Sequence, residues 1–516
     1  MPHRTPLRTV AELLAELPPE QRPELLDCTP ATAIGQPSDD SRSVSPGGCF
    51  IAAQGLTVDG HRFLGPALQA GAALLIVQRD RAPELDRHPR VVVEDTRAAL
   101  PILAAGWYGW PGERLRLAGI TGTNGKTTTA HLVGAVLRAA GHPHLRLGTT
   151  GNWLVDHESR SGFTTAFPLE LQALLASAVE RGATHGVMEV SSHALEQGRA
   201  APLRFASVAL TSFSQDHLDY HPSMAAYLDA KCLLARDHCD PDGVAIAPLE
   251  QGAAADAFLS AAAETGVARV WRSSRSPSAA EIAVIERHPG PGHVPEASRA
   301  GLHARVRTPV GELELRSPMV GEYNLDNLLI TIGVCIGLDL SLGQIATGLA
   351  QARGAPGRLE PVSVPGVAGP AVYVDYAHTP DAVERALEAL RPSVPEGGEL
   401  IVLLGCGGDR DPHKRPLMGE IASLRADRFY ATSDNPRTED PEAIVDQMVA
   451  GASPRGATLV REVDRATAIA RAIAEASPAD IVLIAGKGHE DYQILGTRKI
   501  HFDDREHAEQ ALSRRD

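Results

Sequence analysis

Residues 115–137 read LRLAGITGTNGKTTTAHLVGAVL. Leu115 to Ile120 is a short, mostly apolar run, the pattern of a buried strand. Thr121-Gly122-Thr123-Asn124-Gly125 is a tight polar turn. Lys126, Thr127 and Thr128 then open a helix with Leu132, Val133, Val136 and Leu137 on one side. Strand, glycine-rich turn and helix in that order are the setting a nucleotide-phosphate site requires. Glycines let backbone N–H groups approach phosphate oxygens without an intervening Cβ, and the helix N-terminus favours an anion. Lys126 supplies a point charge for the β- and γ-phosphates, and Thr127 a hydroxyl for Mg²⁺. The spacing departs from the usual phosphate loop, because Ile120 stands five positions before Gly125 and the upstream glycines are Gly119 and Gly122. The plain alternative is a glycine-rich loop that binds nothing.

The rest of the chain continues this pattern. With 516 residues it is too long for one core and is expected to form about three domains. The first, residues 1–105, mixes apolar runs (AALLIVQ, RVVVED) with turns, and Ser41 to Gly55 reads as a loop entering a strand. Trp107 to Gly112 marks the first boundary. Residues 106–355 alternate apolar strands with helical stretches, the signature of a parallel sheet in an α/β fold. Within them, residues 272–301 are rich in Pro, Ser and Gly and read as an insertion or mobile surface element. Gly354 to Gly357 marks the second boundary, and residues 356–516 form another α/β unit.

Composition excludes several classes. No apolar run approaches the length of a membrane span, and the N-terminus lacks the apolar core of a secretory signal. Six cysteines without metal-ligand or C-x-x-C spacing suit a reducing, cytoplasmic setting. A net charge of 49 − 64 = −15 disfavours nonspecific nucleic-acid binding. Small-molecule substrates and a monomer are expected.

Candidate chemistry gathers at predicted strand ends, where ligands of open α/β sheets bind. Glu189 sits in the apolar strand of MEVSSH, where a carboxylate is costly unless paired or metal-bound. Asp216, His217, Asp219 and His221 cluster after the strand SVAL, in either a metal or phosphate role or a structural one. Lys231 lies on the next helix, and on pattern alone reads as a surface lysine. Further on, Asp375, Tyr376 and His378 follow one strand, and GCGGDRDPHKRP, with Arg410 and Lys414, follows another as an anion-binding loop. In SDNPRTEDP, Asn435-Pro436 is a turn that directs Arg437, a side chain suited to bidentate carboxylate recognition or else a solvated loop arginine. AGKGHEDYQ ends a further strand.

TGTNGKTTT, MEVSSH, DHLDYH followed by Lys231, GEYNLDN, PGRLE, VDYAHTPD, GCGGDRD, DNPR and AGKGHEDYQ stand in the order typical of the Mur ligases, and the whole set resembles that family. The resemblance implies an N-terminal UDP-binding domain, a central P-loop ATPase and a C-terminal Rossmann-like domain. It implies an ATP-dependent amide ligase that adds a diamino acid to UDP-N-acetylmuramoyl-L-alanyl-D-glutamate through an acyl phosphate, in peptidoglycan precursor synthesis. On this resemblance Gly122, Thr123, Asn124, Gly125, Lys126, Thr127 and Thr128 hold ATP phosphates, and Asn324, Asn327, Arg358 and Asp375 lie around the nucleotide. Thr127, Glu189, His217 and Lys231 hold Mg²⁺, Lys231 as a carbamate. Ser41 contacts the uridine side, and Thr164, Thr165, Ser191, Gln197 and Arg199 contact the muramoyl peptide. Arg410, Asp434, Asn435, Pro436, Arg437, Gly486 and Glu490 receive the incoming diamino acid. DNPR accompanies meso-2,6-diaminopimelate in this family, whose distal carboxylate Arg437 can hold. Arg437 binding the α-carboxylate region instead, or turning toward Glu439 or Asp440, leaves L-ornithine or L-lysine open, and folylpolyglutamate synthase or another Mur ligase is the related alternative. Departures from the family pattern are Ser212 for Asn, Gln215 for Arg, Thr164-Thr165-Ala166-Phe167-Pro168 for Thr-Thr-Pro, and an apolar Leu56-Thr57-Val58 on the uracil side.

Overall fold

The computed structural model describes residues 8–55, 58–81, 88–218, 220–288, 301–364 and 366–515. Asp219, Leu56, Thr57 and residues 289–300 of the predicted insertion lie outside them. The chain forms two compact units, Met1–Arg272 with Gly333–Leu340, and Ser273–Ile332 with Ser341–Asp516.

The first unit begins with a five-stranded sheet of β1 (Glu24–Leu26), β2 (Pro37–Ser38), β3 (Cys49–Ile51), β4 (Leu74–Gln78) and β5 (Arg90–Val93), in the order β1-β5-β4-β3-β2. All neighbours are parallel except β1 and β5. Side chains alternate between the faces. Cys49, Ile51, Leu74 and Ile76 enter one core with α1 (Thr96–Trp107), and Phe50, Leu75 and Val77 enter another. Burial on both faces is why these strands read as continuous apolar runs. Each such buried side chain stabilises by about 1.5–3 kcal/mol.

Next come β6 (Arg116–Thr121), α2 (Lys126–Ala139), β7 (His144–Leu147), β8 (His185–Glu189), β9 (Phe205–Leu210), α3 (Met224–His238) and β10 (Cys239–Pro248). The strands lie in the order β7-β8-β6-β9-β10 and are mutually parallel. The expected all-parallel sheet is modified at its edge, where Asn152–Leu154 and His157–Ser159 add antiparallel strands. A two-residue turn suffices to join antiparallel strands, so no helical period announces them.

The second unit contains β11 (Ile282–Arg287), β12 (Leu302–Thr308) and β13 (Gly311–Ser317), an antiparallel set, followed by α4 (Glu322–Gly337), whose residues to Ile332 belong to this unit. The expected insertion at residues 272–301 is therefore partly regular structure. Ile282, Ala283 and Val284 are fully buried and carry β11, a short apolar core masked in the sequence by Pro, Ser and Gly on both sides.

The remaining strands are β14 (Glu360–Val362), β15 (Ala371–Asp375), β16 (Leu400–Cys406), β17 (Arg428–Ser433), β18 (Thr458–Arg461) and β19 (Ile481–Ala485). They lie in the order β14-β15-β19-β16-β17-β18, parallel except for β14. Leu400, Val402 and Leu404 pack on one face, and Ile401 and Leu403 on the other. A hairpin, β20 (Tyr492–Leu495) and β21 (Arg498–His501), follows β19. Parallel strands place all their C-terminal ends on one edge of the sheet, which is where the motif loops emerge.

Candidate active site

In the first unit the phosphate loop leaves β6 and enters α2 as expected. Gly122 has φ +144°, and a Cβ there would stand 2.1 Å from Thr211 Oγ1, so no side chain fits. The N-terminus of α2 carries no side-chain cap, which leaves its first N–H groups directed at the loop. Lys126 Nζ donates to the carbonyls of Gly122 (2.8 Å) and Thr123 (3.0 Å).

Ser212, the residue that departs from the family pattern, braces this loop from behind. Its hydroxyl accepts from Asn124 N at 2.9 Å and donates to Asn124 O at 3.0 Å, while its carbonyl accepts from Thr123 N at 2.8 Å. Thr123 Oγ1 lies 3.2 Å from the Tyr227 hydroxyl and accepts from Ser214 N.

Glu189 is buried at the end of β8, and its charge is met by donors. Thr127 Oγ1 donates to Oε2 at 2.9 Å, Thr149 N to Oε1 at 2.9 Å, and Thr149 Oγ1 to Oε2 at 3.1 Å. Three hydrogen bonds make the buried carboxylate tolerable. Thr165 Oγ1 donates to Glu189 O and accepts from Ser191 N, and Thr164 Oγ1 meets Thr149 Oγ1 at 3.0 Å. Thr164, Thr165 and Ser191 are thus assembled around Glu189.

Lys231 is not a surface lysine: it is 1% exposed. Burial, then the nearby Lys126 charge, hold its amine well below the ordinary lysine value, with Asp216 opposing. Its Nζ lies 4.2 Å from the centre of the Tyr227 ring. His217 is exposed, adopts φ +52°, and its ring is 5.9 Å from that of Tyr227. His221 also packs on Tyr227, its ring 5.0 Å away. It is buried, with its ring nitrogens at 2.9 Å from Ser192 Oγ and 3.3 Å from Glu196 Oε2, a structural position.

Gln197 and Arg199 are joined, Arg199 Nε donating to Gln197 Oε1 at 2.8 Å, and the guanidinium stacks 3.9 Å over the Phe167 ring. The altered Thr164–Pro168 segment therefore supplies an aromatic face to Arg199. Ser41 is half-buried in the turn between β2 and β3.

The second unit gathers the remaining motifs. Asn324 and Asn327 are buried, Asn327 Nδ2 donating to Asn324 Oδ1. Asp375 accepts from the N–H groups of Leu359 and Ala377, each at 2.7 Å, and so fastens the turn that carries Arg358. Burial raises its carboxyl, with Arg358 opposing.

At the strand ends, Asn435 Nδ2 donates to Glu490 Oε2 at 2.8 Å, and Asn435 Oδ1 accepts from Ile494 N at 2.9 Å. Lys487 is fully buried 3.4 Å from Glu490 and 3.8 Å from Asp434. A Cβ at Gly486 would lie 2.7 Å from Asp434 Oδ2. Pro436 is buried, and Arg437 (φ +51°) donates from Nη1 to Gly408 O at 2.7 Å, while Arg410 is exposed on the neighbouring loop. The alternative partners of Arg437 are engaged elsewhere: Glu439 with Arg415 at 2.8 Å, and Asp440 as the cap of α5 (Pro441–Ala450).

Sequence reasoning missed Tyr227, Thr149 and Lys487. Tyr227 stands four residues before Lys231, hence on the same helix face, a signal present in the sequence. Thr149 carries no such local signal, since Glu189 is 40 residues away, whereas Lys487 has Glu490 three residues on as well as Asn435 52 residues away.

Family models match in three successive segments: the Mur ligase family catalytic domain at residues 38–108, the Mur ligase middle domain at 120–335, and the Mur ligase glutamate ligase domain at 357–488. A protein of Parasynechococcus marenigrum (strain WH8102) named UDP-N-acetylmuramoyl-L-alanyl-D-glutamate–2,6-diaminopimelate ligase is 45% identical over 93% of this chain and 94% of its own length. A solved structure of a ligase of that name aligns with TM-score 0.73 and 30% identity, over 98% of this chain and 99% of the other. Folylpolyglutamate synthase of Mycobacterium tuberculosis shares the fold alone, with TM-score 0.54 and 20% identity over 76% of this chain and 92% of the other. The three-part α/β architecture and the shared sequence together place the chain in the Mur ligase family.

Proposed function

We propose that this protein joins meso-2,6-diaminopimelate to the D-glutamate carboxylate of UDP-N-acetylmuramoyl-L-alanyl-D-glutamate, at the expense of ATP. The observation that carries the reading is the diaminopimelate-ligase name of a relative 45% identical over 93% of the chain. The disposition of Arg437 supports it, since its guanidinium lies at the strand ends against Gly408 O and its acidic neighbours have other partners.

Residues 1–105 bind the UDP end, with Ser41 on the uridine side. Residues 106–355 are the ATP domain, and residues 356–516 receive the diamino acid through Arg410, Asp434, Asn435, Pro436, Arg437, Gly486 and Glu490. Gly122 to Thr128 cradle the phosphates, and Asn324, Asn327, Arg358 and Asp375 serve the nucleotide. Thr164, Thr165, Ser191, Gln197 and Arg199 hold the muramoyl peptide. The protein acts as a cytoplasmic monomer. The six unpaired cysteines suit a reducing compartment.

The D-glutamate carboxylate attacks the γ-phosphorus, releasing ADP and forming an acyl phosphate. The neutral amine of the diamino acid then attacks the carbonyl carbon, and phosphate leaves as the amide forms. Two anions meet in the first step, so Lys126 and the N–H groups of the loop and of α2 stabilise the charge on the phosphoryl oxygens. The donor set suits Mg²⁺, which prefers oxygen: Thr127 Oγ1 and Glu189 Oε2 stand 2.9 Å apart. Thr127, Glu189, His217 and carbamylated Lys231 would hold the ion, which supplies charge neutralisation. Burial favours the uncharged form of the Lys231 amine, which is the form that adds to CO₂, losing a proton to give a carbamate.

The test is ADP release with ATP, Mg²⁺ and the UDP-linked dipeptide, offering meso-diaminopimelate, L-lysine and L-ornithine separately. Release dependent on diaminopimelate, with a tripeptide product by mass, is expected. Preference for lysine or ornithine would discard the Arg437 reading, and release without amino-acid dependence would discard the acceptor.

A further inference from the structure

The antiparallel strands β11, β12 and β13 bring together a set of side chains that none of the substrate assignments uses. Arg287 of β11 pairs with Ala304 of β12, and one step further His288 N donates to His303 O at 3.0 Å. Arg305 of β12 pairs with Glu314 of β13. The two-residue period of a strand places His303, Arg305 and Glu314 on one face. The rings of His288 and His303 lie 4.5 Å apart between centroids. Both Nε2 atoms face the same oxygen, Glu314 Oε2, at 3.3 Å from His303 and 3.8 Å from His288.

From this geometry we infer that His288, His303 and Glu314 form a binding site for one divalent transition-metal ion of the Zn²⁺ class. Tetrahedral Zn²⁺ with bonds of about 2.0–2.1 Å holds its ligand atoms roughly 3.3 Å apart. The His303–Glu314 separation already matches that edge, and the donor atoms all lie within 4.8 Å of one another. On the other side of its ring, His288 Nδ1 faces Glu286 Oε1 at 3.8 Å. A carboxylate behind a histidine is the usual means of orienting a metal-bound imidazole.

The competing description is a charge-paired sheet face. Glu286 and Glu312 fit it, since both meet the Arg305 guanidinium, at 2.9 and 3.5 Å. Glu314 instead faces two imidazoles, which offer nitrogen lone pairs that a guanidinium lacks. Two nitrogens and one carboxylate select Zn²⁺ or a neighbouring transition metal over Mg²⁺. Three protein ligands leave one position for water or an outside ligand. The ion ties the end of β11 to β12 and β13, so it stabilises the folded protein by mass action.

The experiment uses the tag-free full chain, stripped by chelator and held in excess Mg²⁺, with Zn²⁺ added calorimetrically. One equivalent of Zn²⁺ binds the native protein and raises its Tm. That equivalent is lost in His303→Gln and in Glu314→Gln, while Glu286→Gln weakens it by about ten-fold or more. Co²⁺ in place of Zn²⁺ gives the visible bands of a four-coordinate ion, absent in His303→Gln. ADP release by the variants stays at the native level, which shows that they fold. Native protein that binds no Zn²⁺ in excess Mg²⁺ would overturn the inference. So would His303→Gln and Glu314→Gln variants that keep the native stoichiometry and affinity.

Discussion

The Thr127 hydroxyl donates to the Glu189 carboxylate across 2.9 Å, joining the first turn of α2 to the end of β8. These residues are 62 positions apart in the chain. The contact ties the phosphate loop to the strand beside it, and it places two oxygen donors side by side. Thr149 completes the set from the loop after β7.

Glu189→Gln tests this arrangement. An amide turns an NH₂ toward a hydroxyl or backbone donor and loses the charge. The expected cost is about 1–3 kcal/mol of stability and on the order of 100-fold in kcat for ADP release. Steady-state kinetics together with denaturant unfolding measure both; unchanged kinetics would remove Glu189 from the reaction.

Lys231→Ala is expected to lower kcat by about 100-fold or more, as loss of a charge-stabilising group does. Short carboxylic acids such as formate should restore part of the activity, because they replace the carbamate oxygens. Lys231→Arg, which stays charged, should not be restored by CO₂. Failure of every carboxylate to rescue the Ala variant would count against the carbamate.

Arg437→Ala should cripple diaminopimelate use while nucleotide binding persists. Loss of a charge-assisted contact of about 2–3 kcal/mol corresponds to roughly 100-fold in kcat/KM for the diamino acid. Kinetics with varied diaminopimelate, and separate ADP titration, distinguish the two effects. Unchanged diaminopimelate kinetics would refute the pocket.

Arg465 and Asp504 form a fully buried pair at 2.6 Å, and Arg465 also donates to the carbonyls of Ser433 and Ala485 beneath the motif loops. Arg465→Met leaves a buried carboxylate without its partner and should cost about 3–5 kcal/mol. Adding Asp504→Leu should recover part of that loss. Chemical denaturation of the single and double variants decides it; a double variant no more stable than Arg465→Met would show that the loss lies in the carbonyl contacts instead.

Burial lowers His185 from its ordinary 6.5 to about 4, with the neighbouring His142 and Arg116 adding to the effect. A depressed folded value means that its contribution is complete above about pH 6.5 and is lost as pH falls toward 4. His185→Gln should therefore lose less stability than the native protein between pH 7 and pH 5, read from denaturation midpoints. Equal losses would assign the acid sensitivity to other groups.

The sequence by itself determined the features set by neighbouring residues. The order strand, Gly-rich turn, Gly-Lys-Thr, helix fixed the phosphate loop, because backbone freedom, helix start and apolar period all act over a few positions. Continuous apolar runs marked Leu400–Cys406 and Ile481–Ala485 as strands buried on both faces, and the shorter Phe429-Tyr430-Ala431 marked Arg428–Ser433. The motifs that follow them were legible for the same reason. Tertiary structure alone decided where long-range partners meet. Lys231 reads as a surface residue until the fold encloses it, since no local pattern distinguishes a buried ammonium from a solvated one. Arg437 has acidic neighbours in sequence, yet Arg415 captures Glu439 and leaves the guanidinium at Gly408. Strand β11 was hidden by its flanking Pro and Gly, and only its pairing with β12 brought His288 and His303 together. Side-chain period is written along the chain, whereas burial and charge pairing depend on segments that the sequence keeps apart.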